Sequence, residues 1–302
     1  CPILYSENRK EIYIESALVL GLKVVPITLR NPLKLTSKGL GELLVKIIRD
    51  IKRGLIQVEK VFIGIGGTAT IDMGIGMMSE LGLKLFDSEN KEITMLPENF
   101  LNIQEVRYEP INFPFNLISI LDVTNPLLGQ NNGIEIYGRQ KGADEKMVFQ
   151  LIKSFNHLIK SFEYKNLIRN TESLSGAGGG IPAAFQIFYK MSPCSSSSFL
   201  KRNLGFGDYV NKVDYLLTGE GAYDYQSSFG KGVSVLLDLF QSKVEKIFLV
   251  CGRINDEGIA KLPQNVYPIE ISKYFSSQNE AINNYKNGLN KACQEIIGQL
   301  NF

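Results

Sequence analysis

The stretch Val61–Gly76, VFIGIGGTATIDMGIG, constrains the fold more than any other part of the chain. A short apolar run carrying Val, Phe and Ile reads as a buried strand of a parallel sheet, and it breaks on Gly64, Gly66 and Gly67. A helix is expected to start there, with Thr68 or Thr70 as its cap. Asp72 would sit in the first turn, where a carboxylate suits the positive end of the helix dipole. Glycines between a strand end and a helix N-terminus let backbone N–H groups approach an anion, so this stretch is a candidate phosphate or carboxylate cradle. The alternative is a tight turn that holds no ligand.

The rest of the chain repeats the theme. Pro2–Ser6 and Glu11–Glu15 flank a polar turn and read as a hairpin, and Ser37 opens an amphipathic helix through Arg53 that leads into the central strand. After it, Met77 and Met78 are expected in the core, and Leu83–Phe86 reads as a strand closing on Asp87. Prolines 97, 110 and 114 limit regular structure between Ser88 and Phe115. Asn116–Val123 is a buried strand that ends on Asp122 and Asn125. In open α/β sheets ligands sit beyond the carboxyl ends of strands, which makes both residues site candidates; Asp and Asn before Pro126 are equally ordinary turn formers.

Two further glycine-flanked loops follow. Gly138–Ala143, GRQKGA, presents Lys141 either to a phosphate or to solvent, and Asp144 opens a helix to about Phe162 that contains the sole histidine, His157. Gly176–Pro182, GAGGGIP, brings Gly178 and Gly179. A strand at Val213–Leu217 then ends in Thr218, Gly219, Glu220 and a run to Asp224, two carboxylates beside glycines that suit a metal or a general base. Gly230, Lys231 and Gly232 enter another helix. Strands at Ile247–Val250 and Val266–Ile271 and a terminal helix at Asn279–Leu300 complete an α/β pattern with mainly parallel sheet.

Composition removes several classes of function. The 302 residues carry a net charge of +2 spread along the chain, so no clustered basic face points to nucleic acid. No apolar run is long enough to span a bilayer. The four cysteines form no CxxC pair, which speaks against a zinc site or a disulfide framework and for a reducing cytoplasm. With a single histidine a Ser-His-Asp arrangement has little to draw on. Gly64–Ala69 fits the dinucleotide fingerprint G-x-G-x-x-A with Asp87 downstream, although Gly74 and Gly76 weaken the helix that should follow. A Walker loop and the protein-kinase motifs are absent.

GIGGTATIDMGIGMM, LDVTNPLLG, YGRQKGA and LLTGEGAYDYQSSFGKG, in this order, resemble the motifs of the bacterial type I glycerate kinases, and RNPLKLTSKGLGELL and IFLVCGRIND are similar to that family as well. The resemblance spans nearly the whole chain. It implies transfer of the γ-phosphoryl of ATP to D-glycerate with Mg²⁺, on a flavodoxin-like, Rossmann-like parallel-sheet domain carrying a second, inserted α/β domain. On this basis residues 1–170 are expected to form the inserted domain and 171–302 the C-terminal part of the flavodoxin-like domain, whose first strands would precede residue 1. The partners implied are D-glycerate and ATP, with no nucleic acid or membrane, and a homodimer is an open expectation.

Phosphoryl transfer needs donors and a cation around the phosphates, Mg²⁺ on acidic oxygens, and a group to take the hydroxyl proton. The expected assignments are Asp72, Asp122, Lys141 and Lys231 for catalysis. Gly64, Gly66, Gly67, Thr68, Asn125, Gly178, Gly179 and Gly219 would bind substrate or phosphate, with Glu220 and Asp224 on the metal. The chain departs from the family pattern at Ile71, Met73 and Ala222, where Asn, Gly and Arg are usual, and it lacks the D-S-F-K-G-S and A-D-G-G-E-G loops.

Overall fold

The central apolar run forms a strand flanked by parallel neighbours on both sides, and the first half of the molecule is built around it. The computed structural model describes residues 1–168, 171, 173–224 and 232–300. Contacts divide the chain into two compact units, Cys1–Cys194 and Ser195–Phe302.

In the first unit, β1 (Leu4–Ser6) and β2 (Glu11–Glu15) form the expected antiparallel hairpin, and α1 (Ser16–Leu20) follows. Ser37 precedes α2 (Lys38–Lys52), whose Leu40, Leu44, Ile47 and Ile48 are buried along one face. β3 (Lys60–Ile65) runs parallel to β2 on one side and to β6 (Asn116–Leu121) on the other. Val61, Phe62 and Ile63 are 1% exposed or less, the unbroken burial expected of a strand covered on both faces. The two-residue β7 (Cys194–Ser195) ends the order β1-β2-β3-β6-β7.

The helix after the glycine cluster starts later than the sequence suggests. α3 is Ile75–Glu80, introduced by Gly74 at φ +70, and residues 66–74 are loop. The loop's polar groups go to the end of α1 and the turn after it instead of to a helix turn: Leu22 N–H donates to Gly67 O at 2.9 Å, and Ala69 N–H to Leu20 O at 2.7 Å. Met77 and Met78 are fully enclosed core residues. β4 (Leu83–Phe86) forms, but it pairs antiparallel with β5 (Glu105–Tyr108) in a separate two-stranded ribbon and does not extend the main sheet. α4 (Gly133–Tyr137) is capped by the Asn132 side chain, and α5 (Glu145–Tyr164) by Asp144, which accepts from Met147 N–H. His157 lies on α5 with Nε2 2.8 Å from Ile103 O, a packing role.

The expected boundary at 170/171 and the division at 194/195 differ because of α6 (Ile181–Tyr189). Its Ile181, Ala183, Ala184, Phe185 and Ile187 join the core that holds β3 and α3. A Cβ on Gly74 would fall 2.8 Å from Ala184 Cβ, so α6 packs directly on the start of α3.

Met73 stands where the resembled family has glycine, and it adopts φ +55 with its side chain fully enclosed. The left-handed conformation costs about 1–2 kcal/mol for a residue with a Cβ, whereas emptying a buried methionine's space costs about 2–5 kcal/mol. Packing wins. Met73→Gly is expected to lower unfolding free energy by about 2 kcal/mol, read as a fall in the urea midpoint at unchanged m-value.

The second unit is a parallel sheet in the order β10-β9-β8, with β8 at Tyr215–Tyr223, β9 at Lys246–Ile254 and β10 at Val266–Glu270. Alternate residues of β9 serve opposite faces. Ile247, Leu249 and Cys251 pack with Val233, Leu237 and Phe240 of helix Gly232–Phe240, while Phe248 packs with Ala292 of helix Tyr285–Gln299. Helices therefore cover both faces, as the α/β reading requires. β8 and β9 run on past the ends expected at Leu217 and Val250. Gly219 pairs with Val250 and Glu220 with Cys251, and a Cβ on Gly219 would lie 1.9 Å from Val250 O. That glycine serves close strand approach, not a turn. The terminal helix is broken in two at Asn284, after Gln278–Asn283.

Candidate functional site

Beyond the carboxyl ends of β3 and β6, the first unit has a hollow of about 130 Å³ whose wall includes Gly66, Gly67, Thr68, Asp122, Lys141 and Gly178. Residues expected from four separate stretches of sequence thus meet at one place. Ile65, Val123, Tyr137 and Gln140 complete the wall.

Lys141 is its charged centre. The side chain comes from the turn Arg139–Lys141 and is 4% exposed. Gly142 makes the turn possible, with φ +94 and a Cβ position 2.3 Å from Arg30 O. Nζ donates to Thr68 Oγ1 and to Thr70 O, each at 3.0 Å. Burial pulls the ammonium down from 10.5 to about 8, and the negative charge of Asp72 offsets part of that pull. The lysine is neither solvated nor locked in a short ion pair, and an ammonium has a further N–H to offer.

Asp72, expected to act in catalysis, is not among the residues that line the hollow. It is fully enclosed, and its Oδ2 accepts from Ser37 N at 2.6 Å, Ser37 Oγ at 2.7 Å and Gly76 N at 3.1 Å, while Oδ1 accepts from Gly74 N at 3.1 Å. Burial pushes its carboxyl upward, and these four donors oppose the push. It fastens the loop to the starts of α2 and α3.

The other expected residues divide cleanly. Asp122 is the first residue past β6, exposed at the rim. Asn125 lies outside the wall and holds it, donating to Asn131 O at 3.0 Å and accepting from Tyr137 Oη at 2.7 Å. Gly64 is inside β3, paired with Glu15 and Ile120, and is not part of the wall. Gly178, at φ +57, would set a Cβ 2.3 Å from Ile65 Cγ2. Gly179 accepts from Met73 N–H at 2.9 Å, so the second glycine loop closes on the first. Lys231 lies outside the described residues.

Gly219 and Glu220 belong to the second unit and line its own hollow of about 590 Å³, walled by Leu217, Val250, Tyr285 and Leu289; Asp224 follows the end of β8. Among the described residues no group of three or more His, Cys, Asp or Glu forms a metal cage. The dinucleotide reading has no support in this geometry. A pyrophosphate needs the helix N-terminus immediately after the fingerprint, and here α3 begins only at Ile75.

Tyr137 and Gln140 are the wall residues that sequence reasoning missed. GRQKGA drew attention to its lysine; Tyr137 and Gln140 lie in the resembling motif YGRQKGA but were given no role there, and the place of Tyr137 at the end of α4 puts it on the wall.

The family model for the glycerate kinase family matches residues 2–301. Glycerate kinase of Bacillus cereus (strain ATCC 10987 / NRS 248) is 33% identical over 250 residues, covering 79% of this chain and 63% of that protein. Glycerate 2-kinase of Escherichia coli K12 is 31% identical over 257 residues, covering 83% of this chain and 66% of that protein. The chain thus spans somewhat under two thirds of the length of these curated relatives. Among solved structures, a Salmonella typhimurium LT2 protein described as a candidate glycerate kinase 2 aligns with a TM-score of 0.77 at 25% identity, covering 98% of this chain and 78% of that one.

Proposed function

This chain belongs to the glycerate kinase family, and from that premise we propose that it transfers the γ-phosphoryl of ATP to D-glycerate, giving a phosphoglycerate and ADP. The observation that carries the reading is Lys141: a buried cation on a small hollow, with glycine backbone and a carboxylate on the same wall. The hollow suits the acid substrate, or one phosphoryl group, better than a whole nucleotide.

In this reading Lys141 holds the anionic end of the acid and neutralises charge that develops during transfer. Asp122, exposed at the rim, takes the proton of the attacking hydroxyl. Thr68 and the backbone at Gly66, Gly67 and Gly178 shape the pocket, and Asp72 positions the loop. Mg²⁺ commonly rests on one or two carboxylates plus substrate phosphates. Asp122, exposed at the rim of the hollow, has the right chemistry for that, so this wall fits an ion carried by the nucleotide. When bound, Mg²⁺ would supply charge neutralisation on the phosphates. No helix among the described residues is long and apolar enough to cross a membrane. The cysteine spacing supports a reducing, cytoplasmic compartment.

The direct test is ADP release by the full chain. D-glycerate should stimulate it at least tenfold over background in the presence of Mg²⁺, with phosphoglycerate formed in equal amount. No stimulation by D-glycerate, together with ATP binding seen as a raised melting temperature, would leave a nucleotide-binding protein without this activity and end the proposal.

A further inference from the structure

The hydrogen bonds around Tyr137 form a chain in which each donor fixes the next. Asn131 O, a carbonyl, can only accept, so the Asn125 nitrogen at 3.0 Å is the donor there. That leaves Asn125 Oδ1 facing Tyr137 Oη at 2.7 Å, and an amide oxygen also only accepts. The single phenol proton is therefore committed to Asn125, and burial pushes the phenol's ionisation upward, so the proton stays. Toward any other group the Tyr137 oxygen offers lone pairs alone.

The segment carrying this chain is firmly tied. Asn132 donates to Gly129 O at 2.7 Å and to Glu135 Oε2 at 2.8 Å, and its Oδ1 accepts from Ile134 N and Glu135 N at 3.1 Å. Tyr137 ends the short helix that starts there and forms part of the same wall as Lys141. A ligand that reaches both side chains meets two opposite demands: an anionic group for the lysine and a hydrogen-bond donor for the tyrosine.

Resting on the assignment of this hollow to the acid substrate, we infer that Tyr137 is a specificity residue that accepts a hydrogen bond from a hydroxyl of the acid, with Asn125 as the positioning residue that orients it. A hydroxy acid meets both demands. A simple carboxylate lacks the donor, and an oxo acid sets its carbonyl lone pairs against those of Tyr137. A site built around a substrate hydroxyl rejects analogues without it because a polar group is left unmatched.

The test compares D-glycerate with D-lactate, 3-hydroxypropionate and hydroxypyruvate in wild type, Tyr137→Phe and Asn125→Ala, with melting temperatures confirming that all three fold. Tyr137→Phe should raise the KM for D-glycerate about tenfold, with kcat changed much less. It should leave unchanged the Kd of whichever deoxy acid lacks the hydroxyl that Tyr137 receives. Asn125→Ala frees the phenol proton, so where D-lactate, which keeps the 2-hydroxyl, is the deoxy acid that responds to Tyr137→Phe, the preference for D-glycerate over its 2-oxo analogue hydroxypyruvate should narrow in Asn125→Ala. Wild-type turnover of D-glycerate with an unchanged KM in Tyr137→Phe overturns this inference and spares the kinase reading. If the wild type shows no turnover but D-glycerate still raises its melting temperature in a Tyr137-dependent way, the kinase reading falls and the recognition stands. Loss of both signals overturns both.

Discussion

Replacing Lys141 with methionine is expected to lower D-glycerate-dependent turnover about 10²–10³-fold while making the fold more stable at neutral pH. The two effects have one origin. The ammonium is almost wholly removed from water, and its displacement from 10.5 to about 8 corresponds to about 3 kcal/mol of unfavourable burial of the charged form. Methionine fills nearly the same length without charge. Against that gain stand the bonds to Thr68 Oγ1 and Thr70 O, about 1 kcal/mol each, so a net gain of about 1 kcal/mol remains.

The pH dependence has a definite sign. Below pH 8 both folded and unfolded chains carry the proton, and the burial cost is present in full. Between pH 8 and 10.5 the unfolded chain binds more protons than the folded one, so wild-type stability attributable to this group rises with pH. The advantage of Lys141→Met should therefore be largest at pH 7, vanish roughly one pH unit above 8 and be reversed by about pH 10.5, measured by denaturant unfolding across that range. Wild-type turnover should fall as pH rises through about 8, because neutral lysine neutralises nothing, and a bound anion should move that limb upward. A variant that loses stability at pH 7 as well as activity would identify Lys141 as a structural strut instead.

The parts of this molecule that could be read from sequence are those whose signals are local. The hairpin at β1 and β2, the apolar core strand β3, the Ser37 and Asp144 helix starts and the burial of Met77 and Met78 all follow from patterning or capping chemistry within a few residues. The glycines misled in an instructive way. Gly66 and Gly67 suggested a helix start, but polar groups of this loop are bound by the end of α1 and the turn after it, partners distant in sequence. Gly219 suggested a strand end, yet it marks the close approach of β8 to β9. The unit boundary was hidden because nothing in Ile181–Tyr189 says which core its apolar surface joins. At the candidate site Lys141 carried a local cue, flanking glycines, whereas Tyr137 acquires its chemistry only from Asn125 and Asn131 across a loop.

Asp72→Ala is expected to cost about 4 kcal/mol of unfolding free energy, the largest loss from any single side chain considered. A helix start leaves backbone N–H groups without partners, and a carboxylate there both accepts them and opposes the dipole. Here one carboxylate serves two starts: Ser37 before α2, and Gly74 and Gly76 at the beginning of α3. Truncation strands these donors in an interior without water, where each costs about 1–3 kcal/mol, partly relieved by relaxation. The packing gives little room for that relaxation. A Cβ on Gly76 would sit 1.8 Å from Thr36 Oγ1 and 3.0 Å from Asp72 Oδ2. Asp72→Asn is milder, about 2 kcal/mol, since the amide can turn its nitrogen toward Gly74 N, sacrificing one bond and keeping Oδ2's place for the other three. The asparagine variant also separates the electrostatic role from the structural one. Asp72 holds the Lys141 pKa up, so removing its charge must lower that pKa further, and the basic limb of the turnover profile should move to lower pH in Asp72→Asn. Equilibrium unfolding in urea and a pH–rate profile measure the two effects on the same preparation. A loss below about 1 kcal/mol in Asp72→Ala, or an unmoved limb in a well-folded Asp72→Asn, would show that the loop is held by something other than this carboxylate.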